Sequence, residues 1–335
     1  SRPPGLRTSW PADKMMLYRQ EASKDDQPRN CSLGNPRKGS AGPLARRQER
    51  LFYMLISPWL VGVLVFQAGP ILGALALSFA DWRLPQPPNF VGVANFRALV
   101  GDPLLGESLL NTAYYALGTV ALGVGLGLGL ALLLNGIRRG AHVLRTVFFL
   151  PAVVSGVATV LVWGWVLNPR YGVVNALLAQ VGIRGPGWLQ EEAWAMPALI
   201  LISLWGSGTS MVVYLAALQG VPRELHEAAS LAGAGPWSRF RHVTWPLISP
   251  VTFFLLVVNL IGSFQVFTPT YILTRGGPNN ATLTLPLYIY LNAFAWNRLG
   301  YASALALILF AAILALTLVQ FLVADQWVFY AGDTG

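Results

Sequence analysis

The chain has 335 residues, of which 54% are hydrophobic and only 11% charged, well below the roughly 25% of a soluble domain, so a water-soluble enzyme is excluded. A single cysteine, Cys31, leaves no internal disulfide, and no C-x-x-C or His/Cys cluster has zinc spacing. The formal net charge is +9, of which residues 1–50 hold +6, and no basic surface interleaved with aromatics follows that tail, which sets nucleic-acid binding aside.

Residues 1–45 are rich in Pro, Arg, Ser, Gly and Asp without periodicity and are expected to be a disordered basic tail. A cleaved signal peptide is not expected, because its apolar core should come early and nothing apolar appears before Leu51. Six stretches then reach the roughly 20 apolar residues that cross a bilayer, at 52–79, 112–134, 146–167, 196–219, 246–273 and 300–324. None of the six contains Asp, Glu, Lys or Arg. Trp82, Trp163, Trp165, Trp194, Trp245 and Trp327 fall near their ends, where amphipathic rings favour the headgroup layer. The sequence therefore divides into the tail, a six-span domain over 46–325 with a long connection at 220–246, and a short C-terminal tail at 326–335.

Orientation follows from the basic residues, which are retained on the cytoplasmic side. With the amino terminus inside, that side carries Arg46, Arg47, Arg50, Arg138, Arg139, Arg145, Arg223, Arg239 and Arg241, and the outer loops Arg83, Arg97, Arg170, Arg184, Arg275 and Arg298. Adding the basic tail, both termini are expected in the cytoplasm.

The second span contains two small-x-x-x-small pairs, Gly123 with Gly127 and Gly125 with Gly129, a pattern that lets helix backbones approach closely in lipid. A phosphate-binding loop would need a preceding strand and a lysine, yet the three lysines are Lys14, Lys24 and Lys38. The chain is therefore not expected to hydrolyse ATP or to hold a cofactor or metal of its own.

The connection at 220–246 is longer than a link between two spans requires. Pro222 suits a first helical turn and Glu224 the positive end of the dipole. Leu225, Ala228, Ala229 and Ala232 share one face, and Gly233, Gly235 and Pro236 end the helix. A membrane-surface helix would carry large apolar residues and many Lys/Arg. A stripe of alanines beside Glu227 suits a protein cleft better.

Here the sequence resembles a known family. Glu227-Ala228-Ala229, Gly233, Leu247 and Pro250 are similar to the EAA loop of the membrane subunits of binding-protein-dependent ABC importers. Phe149-Leu150-Pro151, the run Leu218 to Leu225, the run Gly262 to Phe267, Gly276-Gly277-Pro278 and Tyr288-Ile289-Tyr290 resemble the carbohydrate-uptake branch, with its MalF-like and UgpA-like permeases. The resemblance implies an all-α membrane protein with six transmembrane helices, the type I importer (MetI-like) permease fold, and a cytoplasmic coupling helix that docks in a groove of a separate ATPase. Glu227, Ala228, Ala229 and Gly233 would make that coupling contact. The family usually has an acid immediately before the loop glycine, where this chain has Ala232. The implied partners are a second permease subunit, two ATPase subunits and an extracytoplasmic solute-binding protein, in a bacterial or archaeal inner membrane.

Absence of charge from the spans argues against an ion-driven carrier and fits a neutral, hydroxyl-rich solute such as a sugar or polyol. Ser203, Ser207, Ser210 and Tyr214 form one stripe in the fourth span, and Asn259, Ser263, Phe267 and Thr270 another in the fifth. Such groups serve equally as interhelical hydrogen bonds. The resemblance places the sugar pocket along these two spans, where Gly206, Asn259 and Ser263 match it; Ser207, Gln265 and Phe267 are expected on the same path, and the third span offers Ala152 and Gly156 where relatives have a tyrosine and a serine, so the pocket wall differs there. The competing readings are a secondary carrier or channel working without an ATPase, and a membrane scaffold or intramembrane enzyme. The enzyme lacks support in the three histidines, His142, His226 and His242, all in predicted cytoplasmic loops.

Overall fold

The computed structural model describes residues 43–137 and 140–329; the tail before them, Arg138, Arg139 and residues 330–335 lie outside the described residues. The chain forms two units, Ser1–Phe66 and Gln67–Gly335. In the first, helix α1 (Pro43–Val63) leads into a π-helical turn beginning at Leu64, and Phe52, Met54, Leu55, Trp59 and Phe66 are all exposed. Rings and branched chains of that size are stable at a surface when the surrounding solvent is lipid.

Among the described residues, five helices are long and apolar enough to cross a bilayer: Arg50–Ser78, Pro103–Gly136, Glu192–Gln219, Pro236–Phe264 and Leu299–Ala324. The sixth crossing is a pair, Ala141–Val153 and Gly156–Val166, bent by 99°. Here the structure corrects the expectation of one continuous span over 146–167. Pro151 removes a helical donor near the end of the first piece, and Val154 and Ser155 then adopt extended backbone angles. The fifth span is also shifted from the expected 246–273: its helix starts at Pro236 and ends at Phe264, and Pro269 and a π-helical turn at Thr270–Thr274 carry the chain onward. The helices, unlike the apolar stretches read from sequence, run on into charged ends such as Glu107, Glu192 and Arg239.

Four small features lie outside the sequence expectations. A two-stranded antiparallel hairpin pairs Ala80 with Phe90 and Asp81 with Asn89. Short helices occur at Ala94–Val100 and Val173–Gln180, and another at Leu285–Tyr290 precedes the last span.

The second span is a single 34-residue helix, about 51 Å long at 1.5 Å per residue and so longer than the roughly 30 Å hydrocarbon layer. Asp102 caps it, accepting the Leu104 N–H at 2.9 Å, and Pro103 occupies the first turn where its missing donor costs nothing. This helix is the centre of the second unit. Val124 and Ala131 pack with Met211, Tyr214 and Leu218 of the fourth span and Ile248 and Leu255 of the fifth. The backbones approach closely at Gly127, where a Cβ would lie 2.7 Å from the Ser210 Cβ and 3.2 Å from the Met211 nitrogen. The two glycine pairs thus differ: no atom lies within 4 Å of a Cβ at Gly125 or Gly129. At the end remote from the 220–246 connection, Leu99, Leu283, Leu285, Leu287 and Leu305 close a second core. At the other end the C-terminal segment folds back: the Phe329 N–H donates to Ser249 Oγ at 2.9 Å and Trp327 meets Phe253 edge to face.

Candidate functional site

The fourth span is interrupted at its middle. Helix Glu192–Leu204 tightens into a 3₁₀ turn at Trp205–Ser207 and resumes as Gly208–Gln219. Gly208 permits this course, since a Cβ there would meet the Phe148 carbonyl of the third span at 2.1 Å. Beside the turn a cavity of about 530 Å³ opens between the second, fourth and fifth spans. Gly206, Ser207, Asn259 and Ser263 line it, as do Ser203 and Ser210 of the predicted stripe. Gln265 and Phe267 lie beyond it, past the end of the fifth-span helix. Tyr214 is fully buried in the core, its hydroxyl without a hydrogen-bond partner among the described residues, and Thr270 donates to the Phe267 carbonyl.

The second span supplies a wall that sequence reasoning missed. Tyr115, Thr119 and Gly123 repeat every fourth residue and all face the cavity. That repeat was available as a signal but was masked by the glycine pattern it overlaps. A neighbouring cavity of about 330 Å³ shares Tyr115, Ser203 and Gly206 and reaches Ala152 and Gly156 at the break in the third span. The unwound segment there leaves room that a straight helix would fill.

Among the described residues, no Asp, Glu, Lys, Arg or His lines the larger cavity. Three of its hydroxyls are held by their own helices: Ser203 donates to the Ile200 carbonyl at 2.6 Å, Ser263 to Leu260 at 2.9 Å and Thr119 to Tyr115 at 2.8 Å. Each oxygen keeps acceptor capacity. Asn259 donates from Nδ2 to the Leu255 carbonyl at 2.8 Å, and its side-chain carbonyl has no partner among the described residues. These four side chains are therefore fixed in place and offer acceptors, suited to a neutral solute that brings hydroxyl donors. At Gly206 no atom lies within 4 Å of a Cβ, so the glycine leaves cavity volume open.

The predicted coupling helix occupies Arg223–Leu231, with Pro222 at its cap position. Gly233 sits at φ +80°, a left-handed conformation that side chains with a Cβ resist. The turn closes by two hydrogen bonds, Gly233 N–H to the Ser230 carbonyl at 3.0 Å and Ala234 N–H to Ala229 at 2.9 Å. Pro236, expected to help end this helix, instead begins the next one, which continues through a π turn into the fifth span. Glu227 and Ala228 are exposed and Ala229 half-buried. Large apolar groups that the alanine stripe did not announce flank them: Leu231 is 91% exposed and Trp237, stacked on Phe240, is 71% exposed.

At the opposite end, Asp102 joins three elements. Besides capping the second span it accepts the Tyr288 hydroxyl at 2.5 Å and the Tyr301 hydroxyl, and the Arg298 guanidinium lies 4.3 Å from the centre of the Tyr301 ring. Burial works against the charge on Asp102, but the two phenol hydrogen bonds and the Leu104 amide outweigh it and hold the carboxyl below its ordinary range.

A family model described as "Binding-protein-dependent transport system inner membrane component" matches residues 123–327. The probable ABC transporter permease protein YesP of Bacillus subtilis is 38% identical over 290 residues, covering 85% of this chain and 94% of YesP. The arabinooligosaccharides transport system permease protein AraP of the same organism is 31% identical, covering 80% of this chain and 86% of its own length. In fold, the chain is similar to a solved bacterial alginate ABC transporter in complex with an alginate pentasaccharide-bound periplasmic protein. There the TM-score is 0.75 at 23% identity, over 84% of this chain and 96% of the matched one.

Proposed function

The chain belongs to the binding-protein-dependent transport system inner membrane components, and from that premise we propose how its two sites divide the work of import. It is a multi-pass inner-membrane permease subunit of an ABC sugar importer; ATP hydrolysis belongs to a separate subunit. Membership of this family sets aside the carrier, channel and enzyme readings.

The cavity beside Gly206 is the sugar site. Tyr115, Thr119, Ser203, Ser207, Ser210, Asn259 and Ser263 surround it without an ionic side chain, which favours a neutral, hydroxylated solute over an acidic one. Asn259 receives a solute hydroxyl on its free carbonyl, and Gln265 and Phe267 stand on the approach to the cavity from outside. A second, similar permease completes the path. A sugar-loaded binding protein docks at the end that carries Asp102, and both chain termini are cytoplasmic.

At the cytoplasmic end each permease presents a coupling helix to one of two ATPase subunits. Glu227 anchors the helix, Ala228 and Ala229 fit the groove, and Gly233 turns the chain sharply back. Leu231 and Trp237 add the apolar area that two alanines cannot supply, each able to bury roughly 1.5–3 kcal/mol worth of surface. ATP binding closes the ATPase dimer and moves the helix as a rigid body, switching the pathway between inward- and outward-facing forms.

The observation that carries this reading is an uncharged cavity walled by the two spans that the coupling helix connects. The decisive experiment is mild-detergent purification of the tagged chain from its own host with mass spectrometry of what accompanies it. A second permease and a P-loop ATPase are expected. Recovery of this chain alone in a transport-competent form would overturn the proposed assembly.

A further inference from the structure

The helices Ala141–Val153 and Gly208–Gln219 run antiparallel at the end of the bundle that carries the coupling helix, and they leave a third, separate cavity of about 390 Å³ between them. Arg145, Thr146 and Phe149 form one wall; Val212, Ala216 and Gln219, three and four residues apart on one helix face, form the other. Because the helices are antiparallel, Arg145 and Gln219 fall together at the polar end. Phe149 and Val212 lie deeper, 38% and 40% exposed on the outside of the bundle. The groove is thus polar at its mouth and apolar along its length.

Its charge is unbalanced. Among the described residues, the Nε of Arg145 is buried without a hydrogen-bond partner, and the one ion pair is Arg83 with Asp81. A buried donor on a cation is costly to leave empty, and a guanidinium at the edge of the hydrocarbon layer is matched best by a planar pair of anionic oxygens. Basic pockets between transmembrane helices take phosphate headgroups for this reason. We infer that this groove binds an anionic phospholipid, its phosphate on Arg145 with Thr146 and Gln219 beside it, and an acyl chain along Phe149 and Val212. The charge at the mouth selects the phosphate; the apolar wall behind it selects a lipid over a free phosphate ester.

The test uses the assembled transporter in nanodiscs of phosphatidylglycerol and phosphatidylcholine, with retained lipid counted by native mass spectrometry. The parent complex is expected to keep one phosphatidylglycerol that Arg145→Leu loses by roughly tenfold or more, the scale of one charge-assisted hydrogen bond. Arg145→Lys should keep part of it. Ala216→Trp, which fills the apolar wall and leaves the arginine, should lose it as well. Equal retention in all four forms overturns the site. So does displacement of the lipid by inorganic phosphate alone, which would assign the groove to a free anion, or a disulfide from Thr146→Cys to the second permease, which would assign it to a protein contact. The readout is lipid retention, so its failure leaves the import reading untouched.

Discussion

Gly206 and Asn259 test the sugar site one side chain at a time. Gly206 has open space where a Cβ would go, so Gly206→Val should fill the cavity without moving a helix. Uptake should fall while co-purification of the partner subunits is unchanged. Asn259→Leu keeps similar bulk and removes the free carbonyl, and should reduce sugar-stimulated ATP hydrolysis several-fold with the complex intact. Unchanged stimulation across a panel of sugars would remove Asn259 from the site. Asp102 makes a prediction about pH. Its carboxyl is held below 3.8, so the ionised form is favoured by folding. That contribution is present above about pH 4 and is lost as the pH falls through the depressed value. Asp102→Asn should therefore lower the unfolding temperature at pH 7 and flatten its decline below pH 4. Parallel curves for the two proteins would show that the Tyr288–Asp102–Tyr301 cluster does not stabilise the fold.

The coupling helix is the element on which exposure and backbone strain make separate predictions. Leu231 is almost wholly exposed, so Leu231→Asp should cost the isolated permease little and weaken ATPase association strongly. Gly233→Asn, which tolerates a left-handed backbone, should assemble almost normally, whereas Gly233→Val should cost about 1–2 kcal/mol in the turn and impair assembly. If Asn and Val behave alike, close approach of the partner and not backbone strain is what the glycine provides. Most helices were legible because the apolar stretches contain no charge, although the helices themselves run past those stretches into charged ends. The break in the third span was not. Pro151 precedes a 99° bend, while Pro250 sits inside the continuous helix Trp245–Phe264. Proline identity alone cannot separate these cases; the extended angles of Val154 and Ser155 and the packing around Gly208 decide. The cavity was half legible for a related reason. Spacing identified the serines and Asn259, but Tyr115 and Thr119 line it only because the second span passes within contact distance of the fourth.

In the second unit, the two sites are joined by chain connectivity. The coupling helix follows Gln219 at the end of the fourth span and precedes Pro236 at the start of the fifth, and those spans are two of the three walls of the cavity. A displacement of the helix therefore acts on both walls at once, with the long second span as the fixed third. Inserting two glycines between Gly235 and Pro236 should loosen one of these connections. ATP hydrolysis by the assembled complex should persist while sugar uptake is lost. If uptake survives at the parent rate, the link to the fifth span does not transmit the movement.

The absence of Asp, Glu, Lys, Arg and His from the cavity lining, among the described residues, has an energetic corollary for the cell. Carrying one elementary charge across 100 mV is worth about 2.3 kcal/mol, a term that neither this lining nor a neutral solute introduces. Each turnover should then be electrically silent. Uptake into vesicles clamped at opposite potentials is expected to proceed at the same rate, leaving the nucleotide as the sole source of direction and the attainable gradient independent of the respiratory state of the membrane.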